Sequence, residues 1–152
     1  MNKKKLLSFV AVIVFLLTGF FLISYAPKSF KPENIKYVKI AGQNVKVDLA
    51  LTPAEQTQGL SGRHNLDNNA GMLFVFKYSG QYPFWMKDMN FLIDIIWLDE
   101  NRKVIYIKKY ARPEDYPATY GPDGDAQYVL EVASGFSEKN NLQIGDKVEF
   151  LY

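Results

Sequence analysis

Three lysines, Lys3, Lys4 and Lys5, precede a stretch from Leu6 to Pro27 that has no charged side chain and is dominated by Leu, Val, Ile and Phe. As a helix rising 1.5 Å per residue, about 20 such residues span roughly 30 Å, the hydrocarbon thickness of a bilayer, with every backbone hydrogen bond satisfied internally. Residues 1–26 therefore read as a signal anchor or transmembrane helix. The basic tip stays in the cytoplasm and the C-terminal part goes to the other side. The competing reading is a cleaved signal peptide, which would leave a secreted domain. Its apolar region is about 7–15 residues long and ends in a small-x-small site. This run is longer, and Tyr25-Ala26-Pro27 makes a poor site. A soluble protein burying such a helix on all sides would need a larger core than 152 residues supply.

The anchor changes the meaning of the charge balance. All 16 acidic residues lie at or beyond Glu33 and 3 of the 18 basic residues precede the apolar run, leaving 15 basic against 16 acidic residues beyond it, a net of −1. No cluster of Lys and Arg forms a nucleic-acid surface. With no cysteine, a lipid-acylated lipoprotein is excluded and no disulfide assists folding. The remaining ~120 residues suffice for one domain with its own core.

Residues 27–34 contain PKSFKPE, which has two prolines and no periodicity and reads as a short extended stalk. The domain occupies residues 35–152. Val45, Val47 and Leu49 alternate with Lys46 and Asp48, so residues 35–41 and 44–51 form a predicted hairpin with its turn at Gly42-Gln43. Thr52-Pro53-Ala54-Glu55 is a helix start: Thr52 as N-cap, Pro53 at the first helical position, Glu55 completing a capping box. Further predicted strands cover 72–76, 92–98, 104–108, 127–133 and 147–152, and Asp99-Glu100-Asn101 forms a turn. The expected fold is mainly β (α+β): a small barrel-like or sandwich-like antiparallel or mixed sheet with one or two short helices, preceded by the transmembrane helix.

GLSGR at Gly59–Arg63, GMLFVF at Gly71–Phe76, FWMKDMNFLIDIIWLD at Phe84–Asp99, YVLEVASG at Tyr128–Gly135 and IGDKVEF at Ile144–Phe150 follow one another in the chain. In this order they resemble family 192 of the domains of unknown function, over nearly all of residues 45–150. Leu92 stands where family members often carry Pro. The resemblance implies a compact, mainly β domain, often exported, with no established reaction, substrate or catalytic residue.

Two carboxylates have apolar neighbours. Asp94 on a strand shares a face with Leu92, Ile96 and Leu98, whereas Glu131 lies opposite the face of Tyr128, Leu130 and Val132. If they meet across the sheet, like charge raises one pKa and the pair can act as acid and base. The alternative is that each is satisfied by Lys87, Arg63 or backbone amides. Trp85 and Lys87 have the same strand parity, opposite to Phe84 and Met86, and suit a ligand pocket in which an indole stacks beside an ammonium. The alternative is a core or lid tryptophan with a lysine snorkelling past it. Residues 110–127, with Tyr110, Tyr116, Tyr120, three prolines and two glycines, are long enough to wall a site; Tyr120 joins Trp85, Lys87 and Asp94 as a candidate ligand-binding residue.

No cofactor fingerprint or phosphate-cradling loop occurs, and no metal site is expected: Asp123-Gly124-Asp125 reads as a turn, and His64, the single histidine, as a surface or capping residue. Two function classes follow. The first is a non-catalytic binding or accessory module at the outer face of the cytoplasmic membrane, taking a small molecule, a glycan or a cell-envelope partner near Trp85, Lys87 and Asp94. The second is a hydrolase or lyase acting on a cell-envelope substrate through Asp94 and Glu131.

Overall fold

The computed structural model describes residues 13–15 and 30–152. Most of the expected anchor lies outside the described residues. Among them, no helix is long and apolar enough to cross a membrane. The end of the expected stalk is not extended: Pro32–Asn34 forms a 3-10 turn, closed by the Ile35 N–H on the Pro32 carbonyl at 3.0 Å. Proline at the start of the turn fixes φ where a helical turn needs it.

Alternation of buried and exposed residues produces the first hairpin, β1 (Tyr37–Ile40) and β2 (Gln43–Ala50), in the register Val38 to Val45. Its turn is Ala41-Gly42, one residue earlier than expected, with φ values of +47° and +75°. Two consecutive positive φ values match the right-handed twist of the flanking strands. Helix α1 (Pro53–Gln58) starts as read: Thr52 Oγ1 accepts the Glu55 N–H at 3.3 Å, and the Glu55 carboxylate accepts the Thr52 N–H at 2.8 Å. These hydrogen bonds hold the Glu55 carboxyl below its ordinary range.

The helix is part of a crossover connection, so β3 (Ala70–Gly80) pairs parallel to β2. The other sheet pairings are antiparallel, through β5 (Ile93–Leu98), β6 (Val104–Ala111), β8 (Ala126–Ala133) and β9 (Glu149–Leu151). The seven-stranded order is β6-β5-β8-β3-β2-β1-β9. The sheet curls until its edges meet: Lys103 bridges Lys147, and Val148 N–H donates to the Arg102 carbonyl at 2.9 Å. Joining the edges removes unpaired strand groups and gives the expected barrel-like form. A small ribbon, β4 (Phe84–Trp85) with β7 (Thr119–Tyr120), lies apart from the main sheet.

The two faces of the sheet carry separate cores. One, inside the curl, contains Val38, Ile40, Leu73, Ile96, Leu98, Leu130, Val132 and Phe150. The other contains Leu60, Met72, Phe74, Met86, Ile93, Ile95, Trp97 and Val129. Every residue of β5 is buried because one parity serves each core. That accounts for the near-continuous apolar run.

Candidate functional site

The register of β5 against β8 decides the fate of the two candidate carboxylates. Asp94 is opposite Val132 and Ile95 is opposite Glu131, so Asp94 projects to the inner face and Glu131 to the outer. The expected acid–base pair does not form, because adjacent residues of a strand point to opposite sides.

Asp94 is fully buried and satisfied by backbone amides. Oδ1 accepts the N–H groups of Tyr110 at 3.0 Å and Gly135 at 3.1 Å, and Oδ2 accepts that of Ser137 at 2.9 Å. Gly135 and Ser137 open the short helix α2 (Phe136–Lys139), whose first amides have no intrahelical partner. Tyr110 takes a positive φ of +54°, within the irregular pairing of β5 and β6 that brings its N–H to the carboxylate. The amide-bound alternative raised from the sequence therefore describes Asp94.

Glu131 has a different environment. It is 4% exposed, and its Oε2 has no hydrogen-bond partner among the described residues. Arg63, an expected partner, instead pairs with Asp48 at 2.8 Å and acts on Glu131 only as a distant positive charge. Lys87 is exposed. Burial pushes the Glu131 carboxyl up to about 8, against the weaker opposing effect of Arg63, so at neutral pH the group is largely protonated.

Glu131 borders a cleft of about 470 Å³ on the outer face of the sheet. Its walls come from α1 and the following Gly59-Leu60-Ser61, from Phe74, Phe76, Lys77 and Tyr78 of β3, and from Tyr82 to Trp85 with Met89. Gly59 has a φ of +50°, and a Cβ there would lie 3.3 Å from the Phe74 ring and 3.8 Å from Glu131 Oε2. The glycine lets the chain leave α1 directly over the buried acid.

The walls are fixed from behind. Gln56 Nε2 donates to the Val75 carbonyl at 3.0 Å, which ties α1 to β3. Trp97, fully buried, donates from Nε1 to the Tyr82 carbonyl at 2.9 Å. Phe76 and Tyr82 stack at 3.5 Å between ring centroids, and Phe84 meets Phe74 edge-on at 4.8 Å. Two of the resembling segments meet at the rim. Ser61 Oγ donates to the Lys87 carbonyl at 2.8 Å, Gly62 N–H to the Asp88 carbonyl at 2.8 Å, and Asn90 Nδ2 to the Arg63 carbonyl at 2.8 Å.

The four candidate ligand-binding residues separate accordingly. Trp85 is 47% exposed and lines the cleft. Lys87 projects on the side of Trp85, away from buried Met86, and lines an adjoining depression that shares Trp85 with the cleft. Asp94 belongs to the other face. Tyr120 does not border the cleft: its hydroxyl donates to Asp115, and Lys108 Nζ sits 4.4 Å from its ring centre. Desolvation, then that hydrogen bond, pushes Tyr120 up to about 12, while the same bond lowers Asp115. The 110–127 segment thus backs the wall through β7, paired with Phe84 and Trp85, and does not form it. Sequence reasoning missed Gly59, Phe74, Phe76 and Tyr82. The signal available was the density of aromatic residues in 74–85. Among the described residues, no group of three or more His, Asp or Glu side chains is placed to hold a metal ion.

The DUF192 family model, described as an uncharacterized ACR, matches residues 36–150. The chain belongs to this family. A UPF0127 protein of Thermococcus sibiricus is 38% identical over 58 residues, which cover 38% of this chain and 35% of that relative. The match thus spans about a third of the relative's length. A Novosphingobium aromaticivorans protein of unknown function has a structure similar to the family 192 chain, with a TM-score of 0.72 and 30% identity over 82% of this chain and 94% of that one. A Sinorhizobium meliloti protein, proposed as a transcription regulator, superposes with a TM-score of 0.70 and 26% identity, covering 75% of this chain and 90% of that one.

Proposed function

We propose that this family 192 chain is a membrane-anchored, extracytoplasmic binding module that holds a small molecule, or a ring or chain presented by an envelope component, in the aromatic cleft. The observation that carries the reading is a buried acid, one oxygen of which has no partner among the described residues, lining a cleft whose rim holds a half-exposed tryptophan. Concave, mostly apolar sites with a few directed polar groups are the usual form of small-ligand sites. The anchor rests on the uncharged run after Lys3–Lys5.

A second reading, a hydrolase or lyase, draws support from the raised Glu131 carboxyl, which is suited to donate a proton near neutral pH. Asp94 cannot be its partner from the opposite face. The binding reading is preferred because it needs no second catalytic group.

The test uses the full chain in lipid nanodiscs, titrated with benzyl alcohol, phenethylamine and phenylacetate while tryptophan emission is followed. A saturable change with at least one probe, weakened by Trp85→Ala, is expected. A linear, non-saturating response to all three in the wild type overturns the reading. Protease added to intact cells should remove a C-terminal tag, and digestion only after lysis would overturn the assigned orientation.

A further inference from the structure

We propose that the cleft is an ammonium site, taking a primary amine on an apolar stem with the charged head against Glu131 Oε2 and the stem between the aromatic walls. The inference rests on the binding reading above and specifies its ligand class. It stands on how the polar groups of the wall are already used. Gln56, Thr57, Gln58, Ser61 and Tyr82 each donate to a backbone carbonyl of the protein itself. Glu131 Oε2 is the buried side-chain oxygen of the cleft left without a partner among the described residues.

A ligand rich in hydroxyls would therefore find few free donors for its oxygens, at a desolvation cost for each one left unpaired. A ligand with one polar head and an apolar stem meets no such penalty. An anionic head could take only the single O–H of the protonated acid and would lie against the negatively polarised ring faces of the walls. A cationic head gains the carboxylate and the ring faces together, since aromatic quadrupoles attract cations most where water is excluded.

The nearby cations of the protein are held away from the floor. Arg63 is held by Asp48, and Lys77 at the rim lies 5.2 Å from the Tyr78 ring centre. On β3 and β5, the residues opposite Glu131 are Met72 and Ile95, which carry no charge. Glu55 of α1 is turned to its own helix start, and Lys87 and Asp88 face the adjoining depression.

Proton balance follows from the state of the acid. A protonated Glu131 that meets an alkylammonium loses its O–H proton to solvent, and the carboxylate formed accepts a hydrogen bond from the ammonium. Binding of the amine then releases close to one proton at pH 6–7, because Glu131 is mostly protonated below about 8.

The experiment is calorimetry on the full chain in nanodiscs with phenethylamine, 2-phenylethanol and phenylacetate, in two buffers of different ionisation heat. The amine should bind about tenfold or more tighter than the alcohol, the acid should not bind, and the buffer dependence should report release of close to one proton. Glu131→Gln should bring amine and alcohol to equal affinity. Should that variant not fold, the wild-type series and its proton count decide. Alcohol binding as tight as the amine, or amine binding without proton release, overturns the ammonium site while a Trp85→Ala effect keeps the cleft. If none of the three probes binds, the cleft reading itself fails.

Discussion

Asp94 Oδ2 accepts the backbone N–H of Ser137 at 2.9 Å, so a carboxylate near the start of β5 serves as the cap of a helix 43 residues later in the chain. With the amides of Tyr110 and Gly135 on Oδ1, one side chain joins β5, β6 and α2. Asp94→Ala strands three backbone donors, each costing about 1–3 kcal/mol when buried. The expected loss is on the order of 4 kcal/mol or more after partial relaxation. Asp94→Asn keeps one acceptor oxygen and should cost about half as much. Urea denaturation of both variants checks this, and equal losses would contradict the capping account. Probe affinity at the cleft should not change in a folded Asp94→Asn protein.

Glu131 makes stability depend on pH in the opposite sense to a paired carboxylate. Its folded value lies at about 8, above the ordinary carboxyl value of 4.5 that the unfolded chain shows. Its favourable contribution is complete below the unfolded value. It is then lost as pH rises, because the unfolded chain releases a proton that the folded one retains. The slope is about 1.4 kcal/mol per pH unit at its steepest, and it levels off above the folded value. Glu131→Gln should flatten this part of the profile, so the variant gains on the wild type between pH 5 and 8. Melting temperatures measured across that range provide the check; parallel curves would show that Glu131 ionises normally.

Gly71 of β3 pairs with Val132 of β8 and leaves no room for a side chain. A Cβ there would be 2.6 Å from the Glu131 carbonyl oxygen and 3.1 Å from Val45 Cγ1. The first contact is backbone, so the strands themselves must separate. Gly71→Ala should cost about 3 kcal/mol or more, at the severe end of point substitutions. Gly42→Ala is the contrast, because that turn position has nothing within 4 Å and only its φ of +75° resists a side chain. There the expected cost is about 1–2 kcal/mol. Chemical denaturation of the pair separates steric overlap from backbone conformation, and a reversed order would refute the assignment.

Local chemistry made much of the fold legible. The capping box at Thr52 and Glu55 and the alternation of Val45 and Val47 each act within a few residues, and both appear as read. Short apolar or alternating runs likewise marked the strands β3, β5, β6, β8 and β9 to within a few residues, though not their order in the sheet. What could not be read was register. Asp94 and Glu131 each looked like a charge among apolar residues, and only the pairing of Ile95 with Glu131 puts them on opposite faces. The cleft was obscured for the same reason, since Gly59, Phe74 and Tyr82 become neighbours only through the crossover that makes β3 parallel to β2. The length of its loop points to Tyr120 as a site residue, but its hydroxyl is used on Asp115, five residues away.

Trp97 links the buried core to the cleft wall and tests whether that wall is held from behind. Its Nε1–H reaches the Tyr82 carbonyl at 2.9 Å, and its ring meets Phe84 at 5.6 Å and Tyr106 at 5.3 Å. Trp97→Phe retains an aromatic ring, removes the donor and leaves a small void in a site with no solvent exposure. The lost hydrogen bond and the void should together cost about 2–4 kcal/mol. Freed from its anchor, the Tyr82–Trp85 wall should bind the phenethylamine probe several-fold more weakly, with Trp85 emission shifted toward that of a solvated indole. Trp85→Ala should show the converse, weakened binding with stability changed by less than about 1 kcal/mol, because that side chain is half exposed. If Trp97→Phe lost stability but bound the probe as the wild type does, the wall would be positioned by the stacking of Phe76 on Tyr82, and Trp97 would serve the core alone.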